Sequence, residues 1–355
     1  MIYREAGQIK TTYRADMAIF PITQDRIGFM IIMAVAIVAI PTLASTYVLE
    51  AFMIPFLIWG LAAMSLNIML GYAGQLSLGH GGFMAVGAYA AYNFATRIPD
   101  LNLIVCFLLA GLVTAAVGVF FGLPSLRIKG FYLAVATLAA QFIIEFVISS
   151  FPWFAGDNMM GAVDTPAIVL FGWQVDETVE RYYFVLGFVV VLTLLCKNMV
   201  RSSIGRSWMA IRDMDVAAEV IGIRPLQTKL IAFGVSSFLA GIAGALYAFV
   251  YLKACDITSF DLFQSFNILF MVILGGLGSL MGSYLGAAFV MMLPIVLNLL
   301  TTTFLGGTGH SDFIANAEHM VYGGLIMFFL IVEPYGLARM WTTTKEKLRL
   351  WPFPH

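Results

Sequence analysis

Charged side chains are scarce in this sequence of 355 residues: they make up 11% of it, whereas hydrophobic residues make up 61%. A typical soluble domain carries about 25% charged residues. No long run of basic residues is present, which argues against a nucleic-acid partner. The mean hydropathy of +0.92 and uninterrupted apolar runs such as 27–49 instead indicate membrane-spanning helices. These runs lack the alternating pattern of barrel strands.

Residues that carry chemistry are also few. The three cysteines have no C-x-x-C spacing, and we interpret them as packing residues. The four histidines, at positions 80, 310, 319 and 355, suggest no shared metal site. Neither a phosphate-binding loop nor a hydrolase or metalloprotease motif occurs. We therefore expect no metal, no cofactor and no ATPase site in this chain, which excludes the common enzyme classes.

The apolar runs predict an all-α membrane protein, a polytopic bundle of about ten transmembrane segments with one or two broken or re-entrant helices. The predicted spans are 27–48, 52–70, 76–95, 102–123, 131–150, 183–199, 229–251, 262–280, 284–304 and 319–335. The membrane domain is then 27–338, between an N-terminal segment 1–26 and a tail 339–355. Placing both termini in the cytoplasm leaves only Arg97, Arg181 and Lys253 outside, in keeping with the positive-inside rule.

Two connections depart from membrane composition. The first, 151–182, is acidic and is predicted to be an external loop with little regular structure. The second, 200–228, is a cytoplasmic loop with a helical period that groups Ala210, Met214, Ala217, Ala218 and Ile221. A helix over 206–221 would form a rod of roughly 24 Å, ended by Gly222 and Pro225. Its acids and bases are balanced, which favours a protein partner over anionic lipid.

Glycine-rich stretches interrupt the third and eighth spans. The polar stretch Gly71–His80 (GYAGQLSLGH) has two readings, either unwound backbone that exposes Gln75, Ser77 and His80 on a wet pathway, or a short turn before a tightly packed helix. In the second reading a neighbouring carbonyl satisfies His80. A second cluster, Gly275, Gly276 and Gly278, breaks the end of the eighth span and echoes the first.

Glu145 is the exception inside an apolar run, where a carboxylate costs about 2.5–3.5 kcal/mol on insertion. It should therefore face protein or water. Because neighbouring spans supply almost no further ionisable residues, a structural role is favoured over a proton relay.

Five ordered blocks resemble the LivM-type membrane subunits of branched-chain amino acid ABC importers, a family that also includes urea and amide or aromatic-acid relatives. The blocks are GYAGQLSLGHGGFMAVGAY (71–89), RIKGFYLAVATLA (127–139), GRSWMAIRDMDVAAEVIGI (205–223), FLAGIAGALYA (238–248) and ILGGLGSLMGSYLGA (273–287). Where relatives usually show T-G-G-x-x-G, this chain reads FAGDNMMGAVDTP (154–166), which leaves the substrate open.

The resemblance implies a permease subunit that forms half of a translocation pathway in the bacterial inner membrane. It implies a LivH-type permease, two LivG/LivF-type ATPase subunits and a periplasmic binding protein as partners. The implied residues are Gly71, Gly74, Gln75, Ser77, Gly79 and His80 on the pathway; Gly205, Arg206, Ala210, Arg212, Asp213, Ala217, Ala218 and Gly222 in ATPase coupling; and Gly275, Gly276 and Gly278 in gating. The alternative is a self-contained, ion-driven secondary transporter in which Glu145 carries a proton.

Overall fold

The computed structural model describes residues 23–98, 101–125, 131–155, 162–170, 173–305 and 336–350, with isolated positions at 320–321, 323–324, 327–328 and 331. The principal helices are α1 (Thr23–Ala34), α2 (Ile54–Asn67), α3 (His80–Arg97), α4 (Leu103–Ser125), α5 (Phe131–Ser150), α6 (Thr178–Arg201), α7 (Ser203–Asp213), α8 (Asp215–Val220), α9 (Pro225–Leu246), α10 (Leu262–Gly275), α11 (Leu280–Leu305) and α12 (Gly336–Leu350).

Shorter elements extend these helices or lie between them. They are the helical turns Ile40–Leu43, Thr46–Val48 and Pro152–Ala155, the 3₁₀ turn Ile257–Phe260, and the wider π segments Val35–Ala39, Leu49–Met53, Ile68–Tyr72 and Tyr247–Leu252. Four two-residue strands complete the described secondary structure: β1 (Val163–Asp164), β2 (Val169–Leu170), β3 (Trp173–Gln174) and β4 (Ala254–Cys255).

Seven helical stretches of the described chain are long and apolar enough to cross a membrane: Arg26–Leu43, Thr46–Tyr72, Leu103–Leu123, Tyr132–Ser150, Thr178–Arg201, Pro225–Leu252 and Ile257–Gly275. The all-α membrane fold agrees with the sequence prediction, but the count of ten is not confirmed. The predicted third span corresponds to α3, which is not among the seven, and the ninth to a shorter apolar stretch, Leu280–Val296. The tenth, 319–335, is described only at isolated positions, and most of it lies outside the described residues.

The centre of the bundle is built from α2 and α9. Helix α9 packs against α3 and α4, and α2 packs against α9, α10 and α11. Small residues allow the closest approach: a Cβ at Gly87 of α3 would strike the backbone of Gly241, and one at Gly244 of α9 would strike the Met84 carbonyl. Helices in lipid associate through such close packing, because burial of apolar surface gives them little advantage there.

Helix α1 is attached to the bundle through backbone carbonyls near its end. In the π segment Val35–Ala39, the Ile40 N–H donates to the Val35 carbonyl, and Pro41 has no N–H to offer to Ala36. The Tyr182 hydroxyl of α6 donates to the Ala36 carbonyl at 2.9 Å, and Tyr183 donates to the Ile37 carbonyl at 2.8 Å. The phenol of Tyr182 thus replaces the donor that Pro41 lacks, and Tyr183 adds a second bond to the same segment.

One end of the bundle holds the long connection predicted to be external. Glu50 contacts Arg181 at 3.9 Å and Lys253 at 3.5 Å, so two of the three basic residues predicted outside lie together. Strand β1 pairs antiparallel with β4, and β2 pairs with β3. The prediction of little regular structure over 151–182 is therefore wrong in part, and α6 begins inside that range at Thr178.

The three cysteines are free and buried, in agreement with a packing role: Cys106, Cys196 and Cys255. Cys255 lies in β4, between two predicted membrane spans, and burial raises the pKa of its thiol to about 12. It therefore stays a neutral thiol at physiological pH.

The predicted rod over 206–221 is two helices, and this prediction is wrong. Met214 has an extended conformation (φ −160°, ψ 96°) between α7 and α8. The charges fit a break here, since Arg212 lies in the last turn of α7 and Asp215 in the first turn of α8, where each helix dipole favours them. The predicted end is correct: the Ile223 N–H closes α8 on the Ala218 carbonyl at 3.0 Å, and α9 starts at Pro225.

Candidate functional site

Arg212 lies where three predicted groups of residues meet. Its Nη1 donates to the Gly71 carbonyl at 2.8 Å, while its Nε donates to the Asp213 carboxylate at 2.9 Å. Gly71 belongs to the last turn of the second span, where helix carbonyls lack an intrahelical partner. Helix α7, which contains residues predicted to act in coupling, is thereby bonded directly to the first glycine of the predicted pathway stretch.

Glycines make room for the arginine side chain. Gly74 (φ +68°) and Gly278 (φ +75°) adopt left-handed conformations that favour glycine. A Cβ at Gly74 would lie 3.1 Å from Arg212 Cγ, and one at Gly278 would lie 3.3 Å from Arg212 Nη1. The structure thus places residues from the predicted pathway, coupling and gating sets around one guanidinium. The roles assigned to these sets stay predictions.

Asn67 holds together the residues around Arg212 from inside the membrane domain. Its side chain donates to the Ser279 carbonyl and to Ser283 Oγ, both at 2.8 Å, and accepts from the Gly278 N–H at 2.8 Å. The residue is fully buried. Sequence reasoning assigned it no role, although an amide inside the apolar stretch 54–70 is the signal that marks it.

The turn between α10 and α11 contains the predicted gating glycines. Helix α10 ends at Gly275, and α11 begins at Leu280, so the predicted break in the eighth span is present. Gly275 and Gly282 approach each other so closely that neither has room for a Cβ. The turn is therefore packed tightly against α11 and is held by Asn67 on its other side.

The polar stretch 71–80 follows its second predicted reading. Gln75, Ser77 and His80 are buried to 1% exposure or less, so the expectation that they are exposed is wrong for the chain described here. Gln75 Nε2 donates to the Lys229 carbonyl at 3.2 Å, and Thr137 Oγ1 accepts from the Leu78 N–H at 2.9 Å. Gly79 likewise lies against the Thr137 carbonyl. A place on the pathway stays a prediction for these residues.

His80 pairs with a hydroxyl rather than the expected carbonyl. Its Nε2 lies 2.8 Å from Ser65 Oγ. Because Ser65 uses its own proton on the Ala62 carbonyl at 2.6 Å, the imidazole Nε2 must be the donor. His80 Nδ1 is then an acceptor, and it has no partner within the described structure.

Side chains from other helices close the N-terminus of α3. Ser265 Oγ accepts from the Gly81 N–H at 2.8 Å, and Gln141 Oε1 accepts from the Gly82 N–H. Gln141 also donates to Glu145 at 2.6 Å and to the Phe260 carbonyl at 2.7 Å. Glu145 therefore faces protein, as predicted, and an amide holds it rather than a second ionisable group. Sequence reasoning missed Gln141 and Ser265, whose polarity inside apolar runs was the available signal.

The surface of α7 and α8 divides into an anchored side and an exposed apolar side. Trp208 is fully buried and donates from Nε1 to the Thr228 carbonyl at 3.1 Å. Val220 and Ile221 are 83% and 74% exposed, and Met214 and Val216 are also exposed. Of the predicted coupling residues, Gly205 and Ala218 are buried, Ala210 is half-buried, and Arg206, Arg212, Asp213, Ala217 and Gly222 are exposed. The predicted common face is therefore wrong, because the break at Met214 turns α8.

A cavity of about 650 Å³ lies among α3, α4 and α5, with apolar residues such as Val86, Val117, Ile144 and Phe154 on its walls. Sites for small ligands combine apolar walls with a few convergent polar groups. This cavity has almost none of the latter, so it does not suit the charged ends of an amino acid.

The comparisons with known proteins match this architecture. The sequence profile of the family described as branched-chain amino acid transport system / permease component matches residues 48–330. The chain belongs to this family. It is thus a transmembrane permease of the LivM kind, and the relatives below are permease proteins of transport systems.

The high-affinity branched-chain amino acid transport system permease protein LivM of Salmonella typhimurium is 31% identical over 316 residues, which cover 83% of this chain and 70% of that protein. LivM of Escherichia coli is 30% identical over 345 residues, covering 91% and 76%. A probable LivM of Methanocaldococcus jannaschii is 23% identical over 325 residues, covering 79% and 90%. No solved structure matches the chain.

Proposed function

We propose that this permease is one of two membrane subunits of an ABC importer in the bacterial inner membrane, with both termini in the cytoplasm and ten spans in all. It pairs with a LivH-type subunit, binds two ATPases of the LivG/LivF type, and receives its solute from a periplasmic binding protein. Family membership and the exposed apolar side of α8 carry the proposal. In this proposal ATP is hydrolysed by the separate ATPase subunits, because the sequence has no phosphate-binding loop.

The docking surface consists of Met214, Val216, Val220 and Ile221. Exposed apolar side chains next to acidic Asp213 and Glu219 suit a groove on a soluble protein better than an anionic lipid surface. The buried Trp208 fixes the base of α7, so a push on α8 is transmitted to the bundle rather than absorbed by a loose loop.

Branched-chain amino acids are the proposed solute class, because the relatives with the widest coverage carry that name. The cavity among α3, α4 and α5 lacks polar groups, so the solute path lies elsewhere, at the interface with the second permease subunit. The secondary-transporter alternative is less favoured, because the hydrogen-bond partner of Glu145 is the amide of Gln141 rather than a second ionisable group of a proton relay.

Substitution of Val220 by Asp tests ATPase docking. A carboxylate at the centre of an apolar interface is left desolvated and unpaired, so we expect release of the ATPases. The permease complex is purified from membranes, and its bound ATPase and vanadate-sensitive ATP hydrolysis are measured. Proteoliposomes with the binding protein then report ATP-dependent uptake of leucine, urea and an aromatic carboxylate.

The matched control is Val169→Asp, an exposed valine of β2 at the opposite end of the bundle, which should retain both activities. ATPase binding by the Val220→Asp variant at the unaltered level would contradict the docking surface. Leucine uptake by the isolated chain under a proton gradient, without ATP, would contradict the importer itself.

A further inference from the structure

Arg212 bonds to the membrane domain as well as within its own helix. One guanidinium nitrogen bonds to the Gly71 carbonyl, and the others face Asp213, the next residue of α7. Of the proposed docking residues, Val216 and Val220 lie on α8, beyond the break at Met214. The bond from Arg212 to Gly71 is therefore directed toward the membrane helices rather than toward α8.

We infer that Arg212 is a transmission residue, which carries the movement of the ATPase-docked helices to the ends of two membrane helices. The inference rests on the proposed function, because it needs an ATPase that moves α8. It reassigns Arg212 from docking a partner to linking α7 with the membrane domain.

The chemistry of the contact suits a mechanical link. The Gly71 carbonyl lies at the C-terminal end of the second span, where the helix dipole attracts a cation. A hydrogen bond from a charged donor is stronger than one from a neutral donor. The Arg212 stem fits against Gly74 and Gly278, which have no side chains to hold it away.

Asn67 extends the link to a second helix. It belongs to the same span as Gly71 and bonds to Gly278, Ser279 and Ser283 across the turn between α10 and α11. A displacement of Gly71 must therefore move this turn as well, unless the buried Asn67 bonds break. Through Gly71 and Asn67, Arg212 is therefore connected to both predicted breaks. The first is the stretch after the second span, and the second is the turn at Gly276–Gly278.

Arg212→Gln, studied in the complete complex with ATPases and binding protein, separates transmission from docking. We expect bound ATPase to stay at the unaltered level and ATP hydrolysis to continue. Uptake per ATP should fall at least about tenfold, the ratio that corresponds to losing one charge-assisted hydrogen bond. Arg212→Lys, which keeps the cation but not the planar fork, should recover part of the uptake.

Arg224→Gln is the matched control, an exposed arginine of the same loop, and its uptake should be unchanged. Loss of ATPase binding in step with uptake in Arg212→Gln would overturn the inference in favour of a docking contact. Unchanged uptake per ATP would overturn it outright. If the unaltered chain binds no ATPase, the proposed function fails, which is a different result.

A distance measurement provides a readout independent of uptake. Spin labels at Ser203 of α7 and at Leu277 of the turn, both exposed, are measured with and without ATP and vanadate in the complex. If the link is rigid, the distance between the two spin labels should be the same with and without ATP and vanadate in the otherwise unaltered chain. In Arg212→Gln this distance should shift or its distribution should broaden. A distance distribution in Arg212→Gln that is as narrow and as constant as in the unaltered chain would overturn the link.

Discussion

Asn67 shows how one buried amide organises a junction between membrane helices. It uses both its donor and its acceptor groups on the turn after α10, so no apolar side chain of similar size can replace it. In a buried site, removal of one partner leaves the others with the full cost of desolvation. The amide therefore holds one side of a glycine turn whose other side packs against α11.

Asn67→Leu should lower the stability of the folded chain. It leaves the Gly278 N–H without its Asn67 partner, at about 1–3 kcal/mol for the orphaned group, whereas the Ser279 carbonyl keeps the Ser283 N–H at 3.2 Å. The thermal midpoint in detergent, followed by tryptophan fluorescence, should fall clearly below that of Asn198→Leu, a control at an exposed position of α6. Equal midpoints for the two variants would contradict this account.

At the scale of elements, α1 is the helix with the least support from the rest of the chain. None of its most apolar window is buried, and the hydroxyls of Tyr182 and Tyr183 bond to the carbonyls beside Pro41. Removal of both hydroxyls takes away these hydrogen bonds and leaves the helix in place only through weaker contacts.

The double variant Tyr182→Phe, Tyr183→Phe should loosen α1 without unfolding the bundle. Hydrogen bonds of this kind between membrane helices contribute about 0.6–2 kcal/mol each. Amide hydrogen exchange over 35–43 should therefore accelerate, while exchange in α9 stays slow. Tyr132→Phe, at an exposed position of α5, is the control. Unchanged exchange over 35–43 in the double variant would show that other contacts hold α1.

The elements also show what sequence could and could not predict. The fifth span ends as predicted at 150, where the long apolar run ends; its predicted start at 131 lies against residues 126–130, outside the described residues. The rod over 206–221 failed, since no proline or glycine marks the break at Met214. The sequence left open whether Gln75 and His80 are exposed or buried, because their partners Lys229 and Ser65 lie on other helices, and a single sequence does not show such long-range pairings.

At the scale of the whole molecule, the two ends of the bundle differ in chemistry. Arg181 and Lys253 share Glu50 at one end. At the other end, Arg212 donates to the Gly71 carbonyl, and the Lys229 carbonyl accepts from Gln75. The start of α12 lies at this second end too, because Gly336 packs against Gly276 in the turn between α10 and α11. The family match over residues 48–330 confirms the resemblance carried by the five sequence blocks, while the side of the membrane on which each end lies stays a prediction.

The side of the membrane that each end of the bundle faces can be predicted and tested with single introduced cysteines. Cysteine at Trp173, in β3, should react with a membrane-impermeant maleimide added outside intact spheroplasts. Cysteine at Leu277 should react only after the membrane is opened, because the positive-inside rule places that end in the cytoplasm. Both positions are exposed. The reverse pattern of labelling would invert the proposed topology.

The burial of all three native thiols has a practical consequence for such work. Cys106, Cys196 and Cys255 each lie inside the fold, away from reagents that approach from water or from the headgroup region. Probes attached at designed positions therefore do not require the natural cysteines to be replaced, and every labelled variant keeps the helix packing of the original chain.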